Sequence, residues 1–175
     1  MSRSKNLFVT GSPGTGKTTL IRKVIEDLKT LEPVGFYTAE IRKGGIRQGF
    51  ELIGLDGRKG ILSHVDFKQG PFVGRYGVDL AGFEDFLESF SDAAGAARLY
   101  VIDEIGKMEC LSRKFQTWVT ALLDSPIPVV ATIALRGTPF IEGLKRRPDV
   151  DLYELTTTNR DALPARIRLA IESAL

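Results

Sequence analysis

The chain has 175 residues, enough for one ordinary domain that buries about two-thirds of its unfolded surface. Its composition, 43% hydrophobic and 26% charged with a net charge of only +2, is that of a globular protein. That charge leaves nucleic acid out of the expected partners, although Arg146-Arg147 forms a local basic spot. The single cysteine, Cys110, excludes an internal disulfide, which fits a reducing cytoplasm, and no apolar stretch approaches the ~18 residues of a membrane span; a monomer is expected.

The first element is a short strand, Leu7–Thr10. The run behind Arg3 and Lys5 ends too soon for a signal peptide. Directly after it, Gly11-Ser12-Pro13-Gly14-Thr15-Gly16-Lys17-Thr18 fits G-x-x-x-x-G-K-[ST]. The glycines let the loop curl so that backbone N–H groups face one anion, and the helix that follows adds its partial positive end. Lys17 is then placed to reach β- and γ-phosphates, and the Thr18 hydroxyl to ligate Mg²⁺. The helix runs over Lys17–Lys29, with Leu20, Ile21, Val24, Ile25 and Leu28 on its apolar face and Arg22, Lys23, Glu26 and Asp27 opposite.

Gly35–Ile41, Gln48–Leu55 and Ile61–His64 read as strands joined by the tight-turn pairs Gly44-Gly45 and Asp56-Gly57, hence antiparallel. Asp66–Asp79 reads as a long loop with one short strand. Helices at Gly82–Phe90, Ser112–Leu123, Phe140–Arg147 and Asp161–Ala174 then alternate with strands at Leu99–Asp103, Pro128–Ala134 and Val150–Leu155. The fold class is therefore α/β, with a mostly parallel central sheet flanked by helices on both faces and an antiparallel β-meander insertion, all in one domain over residues 1–175. The aromatic stripes Phe83/Phe86/Phe90 and Phe115/Trp118 belong to its core.

The strand Leu99–Asp103 ends in two carboxylates, Asp103 and Glu104. Ligands of parallel α/β sheets collect at the carboxyl ends of strands, so Asp103 is expected to meet the glycine-rich loop and share a Mg²⁺ site with Thr18. Glu104, next in an extended chain, is expected to diverge from Asp103 and to serve as general base toward an attacking water.

Six blocks carry a family likeness: residues 11–19 (ending in Thr19), Gly-Phe-Tyr-Thr-Ala-Glu-Ile-Arg at 35–42, Arg-Gln-Gly-Phe-Glu at 47–51, Val-Gly-Arg-Tyr-Gly-Val-Asp-Leu at 73–80, Val-Ile-Asp-Glu-Ile-Gly-Lys-Met-Glu at 101–109, and Asn-Arg-Asp-x-Leu-Pro at 159–164. In order, they resemble the small nucleoside-triphosphatases of thermophilic prokaryotes and the cancer-related nucleoside-triphosphatase of animals. The resemblance implies a P-loop α/β fold and Mg²⁺-dependent hydrolysis of several nucleoside triphosphates, ATP and GTP among them, with weak base selectivity.

Other residues leave alternatives open. Lys107 either contacts the γ-phosphate or an acid, or is a solvated lysine. Glu109 either holds Lys107 or the metal shell, or caps the following helix. Arg160 is placed to stack on the base or to make a surface ion pair. Arg136, after the strand Pro128–Ala134, is the first candidate for an arginine supplied to the transition state, with Arg47, Arg75 and Arg146 as competitors. Glu40 and Arg42 share a strand face and either line the cleft or pair with each other, while His64 reads as structural. The competing functions are a small P-loop kinase, for which residues 136–147 would be a phosphate-clamping lid, and a binding module switched by nucleotide through the loop at 66–79.

Overall fold

A computed structural model describes residues 4–90 and 96–175; Arg3 lies outside the described residues. Its strands are β1 (Asn6–Thr10), β2 (Val34–Lys43), β3 (Ile46–Gly54), β4 (Lys59–His64), β5 (Phe72–Val73), β6 (Tyr76–Val78), β7 (Tyr100–Ile105), β8 (Val129–Ile133) and β9 (Val150–Glu154). Its helices are α1 (Lys17–Asp27), α2 (Leu80–Glu88), α3 (Arg113–Asp124), α4 (Pro139–Lys145) and α5 (Leu163–Glu172). The nine strands form one sheet in the order β5-β6-β4-β3-β2-β7-β8-β1-β9.

The sheet is mixed. β2, β7, β8, β1 and β9 pair in parallel, and the ladders from β2 outward through β3, β4 and β6 to β5 are antiparallel. The expected meander is thus present, but it is not a separate layer. β2 is long enough to serve both halves: Val34–Phe36 pair with β7, and Phe36–Lys43 pair with β3. The loop at 66–79 holds two short strands rather than one, β5 and β6, turned by Gly74 at φ +58°. Runs of two or three residues are too short for alternation to mark them in a sequence.

Period-two alternation in the central strands divides the core. Leu7 and Val9 face α1 and α5, with Leu20, Ile21, Val24, Ile167 and Ile171. Phe8 faces the opposite side, where α2, α3 and α4 pack. That side centres on Phe36, whose ring lies 6.0 Å from Phe83, 5.7 Å from Phe86 and 6.5 Å from Trp118, so the aromatic stripes are core as expected. β1 and β8 are buried along their whole length, as strands covered on both faces must be.

Helix ends follow their local chemistry. α1 stops at Asp27 rather than Lys29, where the chain tightens into a 3-10 turn at Lys29–Leu31. α5 begins at Leu163, two residues later than expected, with Pro164 in its first turn. Ser112 caps α3: its Oγ accepts from Phe115 N at 3.0 Å and donates to Glu84 Oε1 at 2.7 Å, tying α3 to α2. Ser112→Ala is expected to cost about 1–2 kcal/mol and to lower Tm by roughly 2–8 °C in a thermal melt.

Candidate active site

Because β1, β8 and β7 are neighbours and parallel, the chain leaves all three at the same edge of the sheet. β1 delivers the glycine-rich loop there. Gly14 and Gly16 take φ values of +78° and +100°, a conformation that favours glycine. Gly16 precedes α1 and offers no side chain to cap it, so the first-turn N–H groups are left for an anion. Thr15 Oγ1 donates to Ser12 O at 2.8 Å and braces the loop from within. Lys17 Nζ donates to Gly11 O at 3.0 Å, which lays its ammonium along the loop's mouth.

β7 delivers Asp103, which is 2% exposed. Its carboxylate accepts from the Thr18 hydroxyl at 2.7 Å and from the Thr132 hydroxyl on β8, and the Thr38 amide on β2 also acts to lower its proton affinity. Burial raises its affinity for a proton, and these hydrogen bonds with the Lys17 charge oppose that rise. Glu104 is likewise pushed up by burial, with Lys17 lowering and Asp103 raising it. The β7–β8 register shifts between Ile102 and Ile105, and the side chains of both acids line one cleft.

That cleft encloses about 700 Å³. Its phosphate end is made by Gly14, Gly16, Lys17, Thr18 and Thr19, and its far wall by Phe50, Leu62 and Val73 of the antiparallel strands with Met108. Glu40 and Lys107 line it, and Lys107 is exposed. Arg42 does not; it turns to Glu40 at 2.5 Å, so the alternatives of cleft and ion pair both hold for Glu40. Glu109 also lines the cleft, whereas the cap of α3 belongs to Ser112. Its buried carboxyl is pushed up to about 8 by burial and by Glu104. Cys110 is buried and free, its thiol pushed up to about 12 by burial and the same acids.

Arg136 is exposed beyond the carboxyl end of β8 and is not among the residues that line the cleft. Arg160 is also outside it, its Nε 4.0 Å from Asp161 Oδ1. Arg47 pairs with Glu40 at 2.6 Å, Arg75 holds the Arg47 carbonyl, and Arg146 is exposed. The guanidinium that does border the cleft is Arg22, from the polar face of α1, 5.7 Å over the Tyr37 ring. His64 accepts from the Asp66 amide at 3.2 Å and sits 3.4 Å from its carboxylate, so it does have an acid neighbour, in a local turn contact.

Sequence reasoning misses Arg22, Tyr37 and Thr132 as site residues. A buried hydroxyl inside the apolar run Val129–Ile133 is the one signal available for Thr132.

An α/β sheet that brings a phosphate-cradling loop, a buried aspartate and a second acid to one edge defines a P-loop nucleotide-binding protein. A family model described as NTPase matches residues 6–168. Nucleoside-triphosphatase THEP1 of Thermotoga sp. (strain RQ2) is 46% identical over 158 residues, 90% of each chain. The cancer-related nucleoside-triphosphatase of Homo sapiens is 40% identical over 187 residues, 98% of each chain. The crystal structure of THEP1 from the hyperthermophile Aquifex aeolicus superimposes with a TM-score of 0.85 at 38% identity, over 95% of this chain and 99% of that one. The chain belongs to this nucleoside-triphosphatase family. Among the described residues no helix is long and apolar enough to cross a membrane.

Proposed function

We propose that the protein hydrolyses nucleoside 5′-triphosphates, ATP and GTP among them, to the diphosphate and phosphate with weak base selectivity. The observation that carries the reading is the meeting of Lys17 and Thr18 with Asp103 and Glu104 in one cleft. The loop N–H groups and Lys17 hold the β- and γ-phosphates, and Thr19 closes the cradle. A water attacks the γ-phosphorus, the bond to the β–γ bridging oxygen breaks, and Glu104 takes the water's proton. Contacts made chiefly to phosphate explain why the base is weakly discriminated.

Thr18 and Asp103 present an all-oxygen donor set, which suits Mg²⁺. Among the described residues no group of three or more His, Cys, Asp or Glu converges, so phosphate and water oxygens would complete the shell. When bound there, Mg²⁺ would supply charge neutralisation on the phosphate oxygens.

Lys107 borders the cleft and serves the γ-phosphate. Arg136 and Arg160 act on the transition state and the base only if their segments move inward, since both lie outside the cleft. The continuous nine-stranded sheet supports one domain over residues 1–175, and the buried free Cys110 fits a reducing cytoplasm.

The test is phosphate release from ATP, GTP, CTP and UTP with Mg²⁺ and no acceptor. Steady release from all four, abolished by chelation, is the expected result. Release only after nucleosides or nucleotides are added would replace hydrolysis by a kinase reaction.

A further inference from the structure

Gly106 lies between two acids. A Cβ placed on it would sit 2.7 Å from Glu109 Oε2 and 2.8 Å from Glu104 Oε1, so the two carboxyls converge over a bare Cα. Both side chains line the cleft. Glu109 opens the 3-10 turn Glu109–Leu111 and is 5% exposed. The turn is fixed locally: Cys110 N donates to Gly106 O at 3.0 Å, and Ser112 N to Glu109 O at 3.1 Å. Among the described residues no ion pair reaches the Glu109 carboxyl.

A buried acid without a cation partner costs free energy unless it stays neutral or serves its neighbours. Burial, and then the Glu104 charge, push this carboxyl up to about 8, which favours its neutral form. A neutral carboxyl carries an O–H donor, which an adjacent carboxylate accepts directly or through one water. No step of the hydrolysis described above uses Glu109, yet it shares the Gly106 slot with the proton acceptor.

We infer that Glu109 is a positioning residue that holds the Glu104 carboxylate toward the reacting water, across a slot kept open by the missing side chain of Gly106. The inference rests on the reading of Glu104 as base. A base displaced by an ångström loses much of its effect while the phosphates remain bound, so the defect belongs in kcat and not in affinity.

The experiment compares Glu109→Ala, Glu109→Gln, Gly106→Ala and Glu104→Gln in the full chain, by steady-state phosphate release, fluorescent-nucleotide titration and thermal melting. Glu109→Ala is expected to lower kcat on the order of 100-fold, with KM and nucleotide affinity within about threefold of the parent. Glu109→Gln keeps the shape and an N–H donor, and is expected to restore kcat to within about fivefold of the parent. Gly106→Ala fills the slot and is expected to behave as Glu109→Ala does. A folded Glu109→Ala with parental kcat, a folded Glu109→Gln as slow as Glu109→Ala, or a Gly106→Ala with parental kcat overturns the inference. If Glu109→Ala fails to fold, Glu109→Gln and Gly106→Ala decide it. A slow Glu104→Gln beside a normal Glu109→Ala removes this inference alone, whereas a Glu104→Gln at the parental rate removes the base reading and this inference together.

Discussion

Glu104→Gln is expected to retain nucleotide affinity and to lose turnover by about 10²- to 10⁴-fold, the usual worth of a positioned general base. Glutamine keeps the size and polarity of the side chain, so the cleft and the Asp103 network should persist. What it cannot do is accept the proton that the attacking water must lose. The environment of Glu104 suits that task, because burial raises its proton affinity while Lys17 holds the rise in check. Lys17 and the loop grip the phosphates independently of residue 104, so binding is expected to survive. The measurement is kcat from phosphate release beside Kd from titration with a fluorescent nucleotide. Undiminished hydrolysis by the variant would sink the base assignment, and a parallel loss of binding would point to an electrostatic role instead.

Much of this site is legible in the amino-acid sequence because its chemistry is local in the chain. The loop at 11–18 needs only its own residues and the elements that flank it. Asp103 and Glu104 are legible because an apolar run that ends in acids places them at a strand's carboxyl end. What stays hidden depends on strands distant in sequence. Thr132 reaches Asp103 only because β8 lies beside β7, and Phe50, Leu62 and Val73 form the far wall only because the antiparallel strands continue the same sheet.

Edge placement has a further limit, shown by the arginines. It puts Arg136 on the correct edge but does not say which way the chain runs after the strand, and Arg136 turns to solvent. Helical periodicity assigns Arg22 to the solvated face, yet the part of α1 nearest the loop faces the cleft. Glu109 lies just ahead of α3, but the cap falls to Ser112, a residue type whose short side chain reaches the first-turn N–H groups.

The second large effect is expected at Gly35, which does not itself line the cleft. Gly35→Ala should destabilise the fold by about 4 kcal/mol or more, because steric overlap and backbone strain act together there. At roughly 2–4 °C per kcal/mol for a chain of this size, Tm should fall by about 10 °C or more. Gly35 takes φ +136°, a region side chains rarely enter, and a Cβ there would lie 1.9 Å from the Val101 carbonyl oxygen. The obstruction is backbone and cannot rotate away. Gly35 pairs with Val101 in the β2–β7 ladder, and its own carbonyl accepts from Leu55 N at 3.0 Å, so relief on one side breaks pairing on the other. The same stretch of β2 leads to Tyr37 and Thr38, which line the cleft, so whatever protein remains folded should also hydrolyse more slowly. Gly44→Ala is the matched control. Gly44 also has positive φ, +56°, but no atom lies within 4 Å of its added Cβ, so it should lose only about 1–2 kcal/mol. Equal losses at the two positions would mean that backbone conformation alone sets the cost, and that the close approach of β2 to β7 contributes nothing.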